Sequence, residues 1–272
     1  MTLDPSTFRR PGLWQSWTSI QLTVFALLLL GSSLFWQVVV YNFTSDVYMA
    51  ALAATLVVIV LPCTAAAWWH GESLFRAFHL RPEMVAVTAG IAVGLLGWAP
   101  TAYLANLSSH LYPPSPEYFE FLTDNLPSTT GGTVLAYLAV VIGAPVGEEL
   151  IFRGILYRVA RSRWTPMGAA VLTALFFGIA HMEPSNLFGL VGLGLLLAAL
   201  YEWTGSLLAP MVAHGVYNAV SFTMLLRYRD NLEGEVMSGP LEWILLVVSS
   251  GVLAWLLQIL AKRRLNPPDS SR

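Results

Sequence analysis

The chain contains eight apolar stretches, each long enough to cross a lipid bilayer as a helix. A transmembrane helix needs about 20 predominantly apolar residues, with a range of about 17 to 25. The stretches cover residues 18–41, 47–69, 84–105, 133–157, 166–182, 186–203, 206–226 and 241–261. Lipid offers no hydrogen bonds to an open backbone, so each stretch is predicted to be helical. The sequence therefore predicts an all-α fold, a polytopic membrane helix bundle with about eight transmembrane helices.

The composition supports lipid as the solvent and limits the function classes. Of 272 residues, 56% are hydrophobic and 11% are charged, whereas a soluble domain carries about 25% charged residues. The single Lys, Lys262, and a net charge of −2 give no basic patch for nucleic acid. The single cysteine, Cys63, excludes an intrachain disulfide framework and a cysteine-based metal site. We expect a multi-pass protein of the cell membrane with no nucleic-acid partner.

The predicted helices divide the chain into five segments. The first apolar stretch is too long for the core of a signal peptide and is followed by no small-x-small cleavage pattern, so we interpret it as an uncleaved span. The segments are a cytoplasmic N-terminal segment (1–17), three helices and a long external loop (18–131), a helical core (132–230), a last loop and helix (231–261), and a tail predicted to be disordered (262–272).

The distribution of basic residues predicts the orientation of the bundle. Cytoplasmic flanks of membrane helices accumulate Lys and Arg. With the N-terminus inside, two basic residues, Arg227 and Arg229, fall outside, and Arg153 lies within a span. Eleven fall on the cytoplasmic side: Arg9, Arg10, Arg76, Arg81, Arg158, Arg161, Arg163, Lys262, Arg263, Arg264 and Arg272. Both termini are therefore predicted to be cytoplasmic.

The long connection over residues 107–132 is predicted to contain a short helix. Ser115 can cap this helix, and Pro116 suits its first position. Acidic and aromatic residues alternate after Pro116, which is typical of an amphipathic segment at the membrane interface. Two interpretations stay open for it, a solvated loop with some helix and a gate for substrate.

Ionisable residues are rare inside the predicted spans, which makes the exceptions informative. They are Glu148, Glu149 and Arg153 on the fourth span, His181 at the end of the fifth and His214 on the seventh. A central Asp, Lys or Arg costs roughly 2.5 to 3.5 kcal/mol on insertion scales. These side chains are therefore expected to face protein or water and to have partners.

Their spacing predicts how they pair. Glu149 and Arg153 are four residues apart, so they lie on one helix face and can neutralise each other. Glu148 is rotated by about 100° from Glu149, which leaves it available for another task. The same spacing recurs in two other pairs, Phe177 with His181 and His214 with Asn218. The structural alternative is that the ion pair and the polar side chains only hold helices together.

Three short motifs carry these residues, in the order GEELIFRG at 147–154, FFGIAH at 176–181 and HGVYN at 214–218. The chain has no HExxH zinc helix, no GxSG serine motif and no paired intramembrane aspartates. It resembles the type II CAAX-processing and bacteriocin-processing membrane endopeptidases, also called the abortive-infection or CPBP family, whose motifs are EExxxR, FxxxH and HxxxN or HxxxD. The resemblance covers about residues 133–226 and implies that the helical core is catalytic.

The resemblance and the chemistry of these residues imply an intramembrane endopeptidase. Glu148 is expected to activate a water molecule with the help of His181, while His214 and Asn218 donate hydrogen bonds to the oxyanion. Glu149, Arg153 and Phe177 are expected to support the site. No cofactor is favoured, but Glu148, His181 and His214 would form a zinc site with an open position for water.

The expected partners are the lipid bilayer and a membrane-anchored protein or peptide substrate, cut near its C-terminus. The sequence predicts neither the oligomeric state nor whether the substrate is prenylated. Two other function classes stay open at this point. The first is a non-catalytic immunity or scaffold protein that retains the polar cluster. The second is a proton-coupled carrier, which would carry inverted repeats or broken helices in both halves, whereas this cluster lies in the second half alone.

Overall fold

The computed structural model describes residues 12–229 and 239–265, and across these residues it is a helical bundle without β-strands. The start of the predicted N-terminal segment (1–11), most of the last loop (230–238) and the end of the tail (266–272) lie outside the described residues. The predicted fold class, a polytopic membrane helix bundle, is confirmed. The protein is a multi-pass membrane protein.

Nine helices form the described bundle, together with short turns at Leu13–Ser16 and Leu74–Ala77 and a 3-10 turn at Pro184–Asn186. The helices are α1 (Ser19–Thr44), α2 (Val47–Trp69), α3 (Met84–Leu111), α4 (Pro116–Asn125), α5 (Thr130–Arg161), α6 (Pro166–Ala180), α7 (Leu187–Thr204), α8 (Leu208–Arg227) and α9 (Pro240–Leu265).

Six of the eight predicted spans correspond to helices that are long and apolar enough to cross a membrane, namely α1, α2, α3, α5, α7 with its preceding turn, and α9. The other two predicted spans correspond to α6 and α8. Helix α6 has 15 residues and a length of about 22 Å, less than the roughly 30 Å of the hydrocarbon core. The predicted count of eight and the predicted cytoplasmic termini stay predictions.

Local sequence determines where several helices begin. The Thr18 and Gln21 side chains form a capping box at the start of α1. The predicted cap of α4 is present, because the Ser115 hydroxyl accepts a hydrogen bond from the Tyr118 amide and Pro116 follows it. Thr165 caps α6 in the same way, again with Pro next. The connection between α3 and α5 is therefore a helix, and its role as a gate stays a hypothesis.

Small residues let α3 approach α8 closely. A Cβ atom built on Gly90 would lie 2.7 Å from the Ala209 carbonyl oxygen, and one on Gly94 would lie 2.5 Å from the Ala213 carbonyl oxygen. No side chain fits at either position without a shift of the backbone. The contact aligns α8, and hence His214, against the centre of the bundle.

Polar contacts anchor the last turns of α5. Arg158 lies over the ring of Trp14, 3.6 Å from its centroid, and donates to the Ala77 carbonyl at 3.0 Å. Its neighbours Tyr157 and Arg161 both bond to Glu202 on α7. The position of Glu202 at a helix end predicts a solvated side chain, but these partners leave it only 11% exposed. That prediction was wrong because it ignored the neighbouring helix.

Candidate active site

The paired glutamates lie on α5 between two π-helical stretches. The helix is π-helical over Leu138–Gly143 and Leu150–Tyr157, and α-helical over the six residues Ala144–Glu149 between them. Single π turns within α-helices occur frequently at functional sites. Pro145 gives a local cause for the first one, since it has no N–H to continue the α-helical ladder.

Glu149 and Arg153 form the ion pair that their spacing predicts. The Arg153 Nη1 atom lies 2.8 Å from Glu149 Oε1, and both side chains are 0% exposed. The second guanidinium nitrogen, Nη2, donates to the Gly194 carbonyl on α7 at 2.9 Å. A fully buried charge needs both a counter-ion and hydrogen bonds to offset its desolvation. The pair therefore joins α5 to α7 and fixes the glutamate oxygen that faces α8.

Phe177 on α6 packs between the ion pair and both histidines. Its ring centroid lies 4.6 Å from the Arg153 guanidinium carbon, 4.6 Å from the His181 ring and 5.8 Å from the His214 ring. A guanidinium over an aromatic face is attracted to the ring quadrupole. Phe177 is 0% exposed, so it acts as a rigid spacer among the charged side chains.

Both histidines turn the same ring atom toward Glu148. Glu148 Oε2 lies 3.6 Å from His181 Nε2 and 3.8 Å from His214 Nε2. The Glu148 and His181 side chains are 26% and 28% exposed, and that of His214 is 3% exposed. Glu148 Oε2 is itself buried and has no hydrogen-bond partner among the described residues. The three atoms surround one partly accessible point inside the bundle.

The other nitrogen of each imidazole fixes its hydrogen-bonding role. His181 Nδ1 lies 2.7 Å from the Phe177 carbonyl oxygen, and His214 Nδ1 lies 3.0 Å from Glu149 Oε1. Both partners are acceptors, so each Nδ1 carries the proton. In a neutral imidazole the Nε2 atom is then an acceptor, and it faces the Glu148 carboxylate, which is another acceptor. Three acceptors at one point require a bound donor, an additional proton or a cation.

Asn218 lies one turn beyond His214 on α8 and bonds to the π-helical part of α5. Its Nδ2 donates to the Val140 carbonyl at 2.9 Å. In a π-helical pattern this carbonyl would accept from the residue five positions later, which is Pro145 and has no N–H. Asn218 therefore supplies a donor that the helix lacks. One amide hydrogen is used in this bond, and the second is left for another acceptor.

No group of three or more His, Cys, Asp and Glu side chains within residues 12–229 and 239–265 has the arrangement of a metal site. The chemistry of the Glu148, His181 and His214 donor atoms nevertheless suits zinc. The Nδ1 partners of the two histidines, a carbonyl and a carboxylate, are also the kind that orient zinc-bound imidazoles. The donor set therefore has the chemistry of a zinc site, although its spacing in this part of the chain does not.

The loop helix α4 is bound to the turn that follows His181. Met182 has φ 53°, a left-handed conformation that ends α6 directly after His181. The Tyr118 hydroxyl on α4 donates to the carboxylate of Glu183, the next residue. Burial and the neighbouring Glu183 carboxylate raise the pKa of the Tyr118 phenol, so the phenol remains a donor at neutral pH. Helix α4 is thus tied beside the candidate site.

Replacing Tyr118 by Phe is expected to loosen α4. The substitution keeps the ring and removes a hydrogen bond to a carboxylate, which at this partly exposed position costs about 1 kcal/mol. Amides of α4 are then expected to exchange with deuterium about five times faster, measured by mass spectrometry in detergent. Tyr112 is an exposed tyrosine of the same connection, and Tyr112→Phe serves as the control. Equal exchange in the two variants would show that the bond does not hold α4.

The structure brings together Glu148, Glu149, Arg153, Phe177, His181 and His214, and it places Asn218 one helical turn from His214. The sequence did not predict the bond between His214 and Glu149, or the carbonyls of Val140, Phe177 and Gly194 that receive the polar side chains. Carbonyl partners leave no sequence signal, although Pro145 marks the region of the chain that contains Val140.

Comparison with known proteins supports the resemblance given by the three motifs. Residues 130–220 match the profile of a family described as type II CAAX prenyl endopeptidase Rce1-like. This segment contains all seven candidate site residues. The predicted resemblance is confirmed over this third of the chain. No solved structure matches the chain.

The chain is also similar to bacterial proteins. It is 40% identical over 86 residues to an uncharacterised 24.3 kDa protein of Escherichia coli, which covers 30% of this chain and 40% of the relative. It is 28% identical over 153 residues to YpbD of Bacillus subtilis, which covers 56% and 65%. The name of a third relative, YdiL of Bacillus subtilis, presents it as a candidate membrane peptidase, with 26% identity over 144 residues and coverage of 50% and 59%. The matches thus span less than two thirds of each relative.

Proposed function

We propose that this protein is an intramembrane endopeptidase that hydrolyses a peptide bond in a membrane-anchored protein or peptide. The observation that carries the proposal is the convergence of Glu148 Oε2 with His181 Nε2 and His214 Nε2, at 3.6 and 3.8 Å. These distances are too long for direct hydrogen bonds but suit a shared water molecule. The similarity of residues 130–220 to type II CAAX prenyl endopeptidases supports the same interpretation.

Glu148 acts as the general base. Its unpartnered Oε2 accepts a proton from the shared water, and the water oxygen forms a bond to the carbonyl carbon of the substrate. His181 orients this water through Nε2, because its Nδ1 atom is fixed by the Phe177 carbonyl. The side chains of Glu148 and His181 are the more exposed part of the cluster, so substrate and water approach from their side.

His214 stabilises the oxyanion as an imidazolium. Two carboxylates and one guanidinium in a nearly closed site sum to −1, and a proton on one histidine makes the group neutral. His214 is the histidine whose Nδ1 faces the Glu149 carboxylate at 3.0 Å, which favours its charged form. Its Nε2–H then donates to the oxyanion, together with the free amide hydrogen of Asn218.

Collapse of the tetrahedral intermediate completes the reaction. The bond between the carbonyl carbon and the amide nitrogen breaks, and the leaving amine takes the proton that Glu148 accepted from water. Glu149 and Arg153 take no part in proton transfer. They hold His214 in place through Glu149 Oε1, which contacts both Arg153 and His214. Preorganised donors of this kind are worth about 10²- to 10³-fold each in catalytic rate.

The mechanism without metal predicts that a zinc chelator leaves cleavage unchanged. If zinc were bound, Glu148, His181 and His214 would hold it, and it would supply a Lewis acid and an activated water. The expected result is equal cleavage by purified protein before and after chelation, with less than stoichiometric zinc by elemental analysis. Stoichiometric zinc whose removal abolishes cleavage, and whose return restores it, would establish the metal-dependent alternative.

The experiment that tests the proposed function compares membrane proteins from cells with and without this protein by mass spectrometry. Cells that contain it are expected to hold one or more membrane-associated proteins with a shortened terminus. These products should disappear when the wild-type protein is replaced by the Glu148→Gln variant at equal expression. Unchanged masses in all three samples, with a phenotype that survives the substitution, would support a non-catalytic immunity or scaffold role instead.

A further inference from the structure

A groove on the outer face of the bundle lies between α1, α5 and α6 and has a volume of about 440 Å³. Ile20, Val24 and Leu27 line it on α1, and Leu172 and Phe176 line it on α6. Leu156 and Val159 of α5 form its floor. None of the polar residues of the candidate active site lines it. The groove is therefore a separate, apolar feature that faces lipid.

The length of the groove is about that of one bilayer leaflet. Its lining residues extend from Ile20 to Leu27 on α1, about 10 Å, and Phe176 lies ten residues, about 15 Å, from Pro166 at the start of α6. Half of the hydrocarbon core is also about 15 Å. Both helices run in the same direction from the connection between α5 and α6, so the groove opens at one membrane surface and ends near the midplane.

The surface end of the groove carries a positive charge. Arg163 and Trp164, in the connection between α5 and α6, line this end together with Ser19. Arg163 is exposed, and its side chain forms no hydrogen bond or ion pair within the described part of the chain. The Arg161 side chain, two residues earlier, is bound to Glu202. Trp164 is 52% exposed, as is typical of tryptophan at the level of lipid headgroups.

We propose that this groove binds an anionic phospholipid, with one acyl chain between α1 and α6 and the phosphate on Arg163. The apolar lining accepts a chain of one leaflet, and an arginine fork matches the geometry of a phosphate. The site is also connected to the active site by packing. Phe176 contacts Phe152, and Phe152 packs against Phe177 with a ring separation of 5.0 Å. A bound lipid therefore supports the helix that carries Phe177 and His181.

The test measures lipid retention by native mass spectrometry of the full chain, purified in detergent and mixed with equal amounts of phosphatidylglycerol and phosphatidylcholine. The wild-type protein is expected to retain phosphatidylglycerol in preference. Arg163→Gln should reduce this preference about 10-fold, the worth of a charge-assisted hydrogen bond. Val24→Trp, which fills the groove from its lipid-facing wall, should reduce retention of both lipids.

Matched controls separate this site from ordinary lipid contact. Arg76 is an exposed arginine that does not line the groove, and Arg76→Gln is expected to retain the wild-type preference. Each variant is first checked for helical content and a single elution peak. Equal retention of the two lipids by the wild-type protein, or the same loss in Arg76→Gln as in Arg163→Gln, would overturn the proposal. Either result would assign the groove to non-specific lipid.

Discussion

Replacing Glu148 by Gln is expected to reduce peptide-bond cleavage by about 10²- to 10⁴-fold, the usual worth of a general base. Glutamine has nearly the same size and still reaches the point between the two histidines, but it cannot accept the proton of the water. Because Glu148 contributes to no ion pair with Arg153 and is 26% exposed, the substitution should leave the fold intact. The measurement is the initial rate of product formation, followed by mass spectrometry in detergent or liposomes.

The control for this prediction is a carboxylate elsewhere in the bundle. Glu242 lies in the first turn of α9, and Glu242→Gln removes one negative charge without changing the candidate site. It is expected to cleave at the wild-type rate. Glu148→Asp, which shortens the side chain by one methylene, should recover part of the activity. Wild-type rates in a folded Glu148→Gln protein would contradict the role of this residue as general base.

The pairing along single helices could be predicted from the sequence. Residues four apart share a helix face, which led directly to the bond between Glu149 and Arg153 and to the contact between Phe177 and His181. The rotation of Glu148 away from Glu149 predicted that it would lack the Arg153 partner, and its distance to both histidines agrees with that expectation. Apolar length likewise located six helices that can cross a membrane.

Contacts between helices could not be predicted, because spacing along one helix does not determine where the next one lies. The bond between His214 and Glu149 depends on the approach of α8 to α5. Sequence spacing placed His214 with Asn218 as a donor pair, yet Asn218 also supplies a donor to the Val140 carbonyl in the π-helical stretch. His181 was expected near the far end of a full span. Helix α6 instead ends after 15 residues, which brings His181 inside the bundle to the level of Glu148.

Replacing Arg153 by Met is expected to destabilise the protein by about 3 to 5 kcal/mol, the usual cost of removing one partner of a buried pair. Methionine fills much of the space but leaves Glu149, which is 0% exposed, with an uncompensated negative charge. It also removes the donor to the Gly194 carbonyl on α7. The measurement is equilibrium unfolding in mixed micelles with increasing sodium dodecyl sulfate, followed by circular dichroism.

The same helix offers a matched control in Arg161, whose ion pair with Glu202 is at the membrane surface. The Arg161 side chain is 33% exposed, so Arg161→Met is expected to cost about 1 kcal/mol or less. In the double variant, Glu149→Gln with Arg153→Met, no charge is left unpaired, and it should be more stable than Arg153→Met alone. Equal losses for Arg153→Met and Arg161→Met would mean that burial of the pair does not determine its contribution. A double variant no more stable than Arg153→Met would mean that the lost bond to α7, and not the unpaired Glu149 charge, causes the destabilisation.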